Sequence, residues 1–385
     1  MTEANEIIAM EPQDIAGVRA LVETIRTADL GSVRTLAKIL VRLNVPDMLP
    51  IMEDLLDDNN ADLSLTAYDW FANTSNERAT AILVRKLEDS NRSENERELA
   101  AEALGRRGDT AALVPIERVA ETFVATTRDS RELCHRLLAA NLNDAAARLL
   151  VLLAVAEAKL GGDGLAAIPI IFARTDANVD RDPIVRIQAV NALASVAAGG
   201  TFDVLRSALL AEDNEIVEGA IWALQLIGAR EAVDALVAMA TPERLEVGEI
   251  ALTAVVAVTG PGPGMGKSVY DLAPDQLSQW WQTKRLSFRS GICYRCGNPI
   301  TLGTFVELLR DRKQRPYVAN ELRVIAGFDC GFDVDVPTEQ QDSVVSTAEH
   351  WVATAGAGYK TGALYKYGRE RNLSEAVRVG IFVDS

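Results

Sequence analysis

Histidine is nearly absent: this sequence has two, His135 and His350, in 385 residues. That scarcity leaves no Ser/His/Asp or Cys/His constellation to assemble for nucleophilic catalysis. Four unevenly spaced cysteines do not make a disulfide framework. Aromatic residues amount to only 5% of the chain. No apolar run is long: Leu149 to Ala156 stops at Glu157, far short of the ~20 residues that a bilayer span requires. The opening Met1-Thr2-Glu3-Ala4-Asn5-Glu6 lacks the basic start of a signal peptide, so a cytoplasmic address is expected.

Small and branched apolar residues are abundant. The apolar share is 48%, chiefly Ala, Leu, Val and Ile, which suits closely packed helices with Ala at the crossings and Leu in the gaps. The charge is −16 and uneven: 14 Lys+Arg stand against 13 Asp+Glu from Ala273 onward, and 25 against 42 before it. So acidic a surface repels phosphate backbones and argues against nucleic-acid binding.

An internal period sets the architecture. The pattern of Ala followed at a fixed spacing by a large apolar residue recurs as Ala37…Val41, Ala67…Phe71, Ala100…Leu104, Ala189…Leu193, Ala220…Leu224 and Ala251…Val255. Its steps are 30, 33, 89, 31 and 31 residues. The long step is close to three periods and contains the helical stretches Ser130–Asn141, Asp144–Leu160 and Leu165–Arg174. Each unit places an Ala-rich helix, a Gly- or Asp-bearing turn such as Gly228-Ala229, and a second helix such as Ala232 to Leu236. One apolar stripe per helix cannot be buried within a pair, so pairs must stack. The expected class is all-α: an α-solenoid with a small helical C-terminal cap. An ordinary helical bundle would not need a period near 31.

The segments Arg97 to Gly105 and Glu218 to Gly228 resemble HEAT repeats of the type also found in phycobilisome lyases, over roughly residues 30–260. The resemblance implies a protein-interaction scaffold or adaptor, bacterial in kind. Di-iron HEAT enzymes share the fold but supply several His-Glu pairs, which two histidines cannot match. The ending of the chain is similar to that of a group of bacterial HEAT-repeat proteins, through Thr259-Gly260, Trp280-Trp281, Phe288 and Gly291 to Pro299. The layout read from the sequence is an N-terminal capping helix in 1–30, repeats in 31–260, a Gly/Pro linker in 261–274, a helical cap in 275–355 and a tail in 356–385. Within the cap, Thr301–Arg312, Pro316–Ala326 and Thr338–Ala353 are expected as helices.

Three motifs bear on chemistry. Gly264-Met265-Gly266-Lys267-Ser268 looks like a phosphate loop, but Pro261 stands where the first glycine belongs and Pro263 removes another N–H. Cys293-x-x-Cys296-Gly297 has the form of half a zinc knuckle, yet a second ligand pair is missing, so neither metal nor cofactor is expected. Paired carboxylates such as Glu53-Asp54 read as solvated helix faces.

Partner binding is therefore the expected activity, with a basic segment of another protein lying along an acidic groove lined by second helices. The candidate contacts are Glu53, Asp57, Glu88, Glu117, Glu121 and Asp234. To these are added the aromatic anchors Trp280 and Trp281, with Tyr294 and Arg295 beside them. Adjacent helical residues point about 100° apart, so one tryptophan of the pair should seal the repeat array and the other face outward. A lyase-like or metal-dependent activity centred on Cys293 and Cys296 is the alternative.

Overall fold

A computed structural model describes residues 14–43, 45, 47–124, 144–160, 183–196, 201–262, 268, 272, 275–334 and 336–377. Helices dominate these residues, and the fold is an all-α solenoid of helix pairs. The chain divides into two compact units, Met1–Thr126 with Arg148–Gly162, and Thr127–Ala147 with Asp163–Ser385.

The first unit contains α1 (Ile15–Thr27), α2 (Leu30–Arg42), α3 (Met48–Leu55), α4 (Ala61–Asn73), α5 (Arg78–Glu88), α6 (Glu94–Arg107), α7 (Leu113–Val124) and α8 (Asp144–Leu160) from Arg148 onward. Helices α2, α4 and α6 pack side by side, while α3 and α5 back onto α4 and α6. Local chemistry sets the boundaries. Ser93 and Glu96 form a reciprocal capping box at the start of α6, and Gly108, at φ 72°, ends it in the left-handed conformation. Where α6 approaches α8, a Cβ on Gly105 would stand 3.0 Å from the Ala156 Cα, so only glycine fits without a shift.

The second unit continues the pairing with α9 (Pro183–Val196), α10 (Thr201–Ala208), α11 (Asn214–Ile227), α12 (Arg230–Met239) and α13 (Leu245–Thr259). Helices α9, α11 and α13 form one layer, with α10 against α11 and α12 against α13. The periodic alanines lie at the crossings: Ala67, Ala100, Ala189, Ala220 and Ala251 are wholly buried, and only Ala37 keeps some exposure.

The C-terminal segment lies within this second unit. It comprises α14 (Gln276–Lys284), α15 (Leu302–Leu309), α16 (Arg315–Ala326), α17 (Ser343–Ala355) and α18 (Leu373–Ala376). Two antiparallel hairpins interrupt them: β1 (Tyr294–Arg295) with β2 (Asn298–Pro299), and β3 (Leu364–Lys366) with β4 (Arg369–Arg371). Two short hairpins thus accompany the helices of this segment. Each hairpin turns through two positive-φ residues, Cys296-Gly297 and Tyr367-Gly368, the type I′ geometry that matches strand twist. The tail from Gly356 to Val377 carries the second hairpin and α18. The expected helices Ser130–Asn141 and Leu165–Arg174 lie outside the described residues, as does the phosphate-loop-like stretch apart from Ser268, whose hydroxyl meets Glu249.

Candidate interaction surface

In the first unit the second helices present carboxylates to one face, and neighbouring repeats answer them. Arg85 Nη2 lies 2.8 Å from Glu53 Oε1 and Arg118 Nη1 lies 2.9 Å from Glu88 Oε1. Asp57 takes both Lys86 Nζ and Arg92 Nη2 at 2.6 Å. Donor and acceptor stand one repeat apart in sequence, so the period that stacks the helices also registers the charges. Glu53, Asp57 and Glu88 thus each face a cation from within the chain. Glu117 is half-buried on α7, and the side chain of Glu121 lies outside the described residues.

A cleft of about 700 Å³ opens between the turns preceding α4 and α6. Asp57, Asp58, Asp89 and Glu96 line it around Arg92, and Leu65, 45% exposed, lies at its edge. The Arg26 guanidinium holds the Asp58 carboxyl below the usual carboxylate range.

In the second unit Asp234, on α12, is the hub. It accepts Trp281 Nε1–H at 2.7 Å and Arg285 through both oxygens, at 2.7 and 2.8 Å. Trp281 is buried and packs edge-on against Phe288 with centroids 5.2 Å apart, whereas Trp280 stays partly exposed beside it. A groove of about 640 Å³ runs between α10 and α12, lined by Phe202, Leu209, Leu210, Glu231, Asp234 and Met239. Leu210 is 73% exposed there, an apolar side chain beside carboxylates.

Tyr294 and Arg295 are interior, which corrects their expected place on the surface. The Tyr294 hydroxyl accepts the Arg289 N–H at 2.8 Å. Arg295 Nη2 meets Glu321 Oε1 at 3.0 Å, and Gln225 Nε2 donates to the same oxygen at 2.6 Å. Burial pushes the Glu321 carboxyl up against the pull of Arg295. Lys366 is wholly buried close by, and its Nζ has no hydrogen-bond partner among the described residues. Burial lowers this lysine to about 8. The sequence reading missed Glu321 and Lys366, since pairing across 26 residues leaves no local signal. Arg285, four residues after Trp281 on the same helical face, was the available hint for Asp234.

Cys293 and Cys296 do not converge on a ligand. Cys293 is 2% exposed, and burial pushes its thiol up to about 12. Cys296 sits in the exposed hairpin turn. Among the described residues no cluster of three or more His, Cys, Asp or Glu could hold a metal ion, and no helix is long and apolar enough to cross a membrane.

Comparison with known proteins matches residues 168–255 to HEAT repeats. Among solved structures, human deoxyhypusine hydroxylase in complex with glycerol is 20% identical, covering 62% of this chain and 96% of its own, with a TM-score of 0.26. An engineered protein is 17% identical, covering 92% and 98%, with a TM-score of 0.33. Likenesses this loose transfer no residue roles. No curated protein matches the chain.

Proposed function

This chain is a HEAT-repeat protein, and we propose that it acts as a non-enzymatic scaffold or adaptor holding a basic, leucine-bearing segment of another protein. The observation that carries this reading is the α10–α12 groove, where Leu210 is 73% exposed between Arg206 and the carboxylates Glu231 and Asp234, which also face Arg230 and Arg285 of the chain. An apolar anchor ringed by charge is how interfaces concentrate affinity. Trp280, partly exposed, is a further aromatic contact. We place the protein in the cytoplasm, where unpaired thiols such as Cys293 and Cys330 persist, as a component of a larger assembly. The lyase-like or metal-dependent alternative gains nothing from the cysteine pair, one buried as a thiol and the other exposed in a turn.

Fluorescence anisotropy with a labelled Lys/Leu peptide tests the reading. The wild-type protein should bind it saturably, and Leu210→Lys should weaken binding about tenfold, as loss of an interface anchor does. Equal binding of a Glu/Leu peptide of the same length would sink the proposal.

A further inference from the structure

The C-terminal segment is built twice, 71 residues apart. Trp280, Thr283, Gly291, Tyr294, Gly297 and Leu302 recur without gaps as Trp351, Thr354, Gly362, Tyr365, Gly368 and Leu373. The geometry repeats with the letters. A short 3-10 turn follows each helix, Arg285–Ser287 after α14 and Gly356–Gly358 after α17. The Tyr365 hydroxyl accepts the Lys360 N–H at 3.0 Å, as Tyr294 accepts that of Arg289. Phe288 lies 4.3 Å from Tyr294, and Tyr359 lies 4.6 Å from Tyr365. The N–H groups of each hairpin turn close the end of a helix: Cys296 and Gly297 bond the Ala257 and Val258 carbonyls of α13, and Tyr367 and Gly368 bond Val324 and Ile325 of α16. Helix α12 packs on α14 in the first copy as α15 packs on α17 in the second.

One difference between the copies changes how the space beside the helix is filled. Between α12 and α14 the space is filled by the Trp281 indole and the Arg285 side chain, both held on Asp234. The corresponding residues in the second copy are Val352 and Gly356. There the structure holds a cavity of about 170 Å³, lined by both of these residues and by Leu302, Phe305, Tyr359 and Tyr365. An apolar cavity of roughly 150 Å³ takes a benzene ring.

We infer that this cavity is a slot for a phenyl side chain of a partner protein, the space that Trp281 fills in the first copy being left open for an incoming ring in the second. Counting from the helix caps Ala229 and Thr301, the position of Asp234 is taken by Val306, buried and apolar. No carboxylate waits for an indole N–H, so the fit is to phenylalanine rather than tryptophan. Among the described residues, the one charged residue lining the slot is Lys360, and its Nζ already pairs with Glu370 Oε2 at 2.6 Å. The slot is separate from the α10–α12 groove, and its occupant differs in chemistry from the basic segment proposed there.

Fluorine NMR with N-acetyl-4-fluoro-L-phenylalanine tests the inference on the full chain. The wild-type protein should shift the resonance saturably at millimolar probe. Val352→Trp, which installs the residue of the first copy, should bind at least tenfold more weakly while keeping the helical circular dichroism. Ala363→Ile narrows the same slot in imitation of Ile292 and should do likewise, so the test survives a misfolded tryptophan variant. Absence of saturation in the wild type, or unchanged binding in a folded filling variant, overturns the inference. Probe binding that emerges only in Phe382→Ala overturns it in favour of the chain's own C-terminal residues as occupant.

Discussion

Trp280 and Trp281 are neighbours in sequence, but their side chains have different surroundings. Trp281 loses nearly all its surface to Phe288 and α12 and donates to Asp234, whereas Trp280 remains partly exposed. Trp281→Ala should cost about 3–5 kcal/mol, as large aromatic deletions in cores do, and Trp280→Ala under about 1 kcal/mol. Urea unfolding of both variants measures the contrast; two silent substitutions would contradict the packing described. Lys366 gives a second residue-scale test. Its folded value is about 8 against an ordinary 10.5, so between these pH values the unfolded chain binds more protons and stability rises with pH. Cys293 works in the opposite direction above its ordinary 9.0, because its folded value is raised to about 12. Glu321, Arg295 and Arg371 complete the charged surroundings. The net rise is therefore confined to about pH 8–9 and amounts to about 1 kcal/mol. Lys366→Met should abolish it and raise the melting temperature at pH 7, since an unpartnered buried ammonium is costly. A persisting slope in that variant would assign the effect elsewhere.

At the scale of elements, helices are fastened to one another by a few specific side chains and by many weak surface charges. Arg107, in the last turn of α6, reaches back to the loop between α4 and α5. It donates to Phe71 O at 3.1 Å, Thr74 O at 2.5 Å, Asn76 O at 2.7 Å and Thr80 Oγ1 at 2.8 Å. Arg107→Ala should cost about 2–3 kcal/mol, because carbonyls are left unpaired. Glu88→Gln, which breaks an exposed pair with Arg118, should cost under about 1 kcal/mol. Thermal melts of the two variants should rank accordingly, and equal losses would mean that the surface ladder bears more of the stability than exposure allows. The helices themselves were legible because alanine recurs at each crossing and apolar stripes repeat at helical spacing. The hairpins were not. Strands of two and three residues carry no alternation to read, and their turns put Cys296 and Tyr367 at positive φ, where sequence rules look for Asn or Asp. The 71-residue duplication was equally hidden, because six identities are scattered among unlike residues and only the repeated geometry joins them.

For the whole molecule, composition and period were enough to give the class: an acidic, alanine-rich chain whose helix pairs bury their stripes only by stacking. The candidate surface was less legible for a physical reason. A carboxylate on a solvated helix face looks alike in sequence whether it awaits a partner or meets an arginine one repeat away, and Glu53, Asp57 and Glu88 turned out to meet cations. On the proposed reading a partner would meet the exposed Leu210 together with carboxylates that also face cations of the chain. The acidic excess before Ala273 then acts on the bound segment through screened charge. The most direct measurement is the affinity of the Lys/Leu peptide for the full chain by isothermal titration at 50 and then about 500 mM NaCl, across which the screening length falls several-fold. The scaffold account predicts about tenfold weaker binding at the higher salt and a further loss in Leu210→Lys; equal affinity at the two salt concentrations would contradict it.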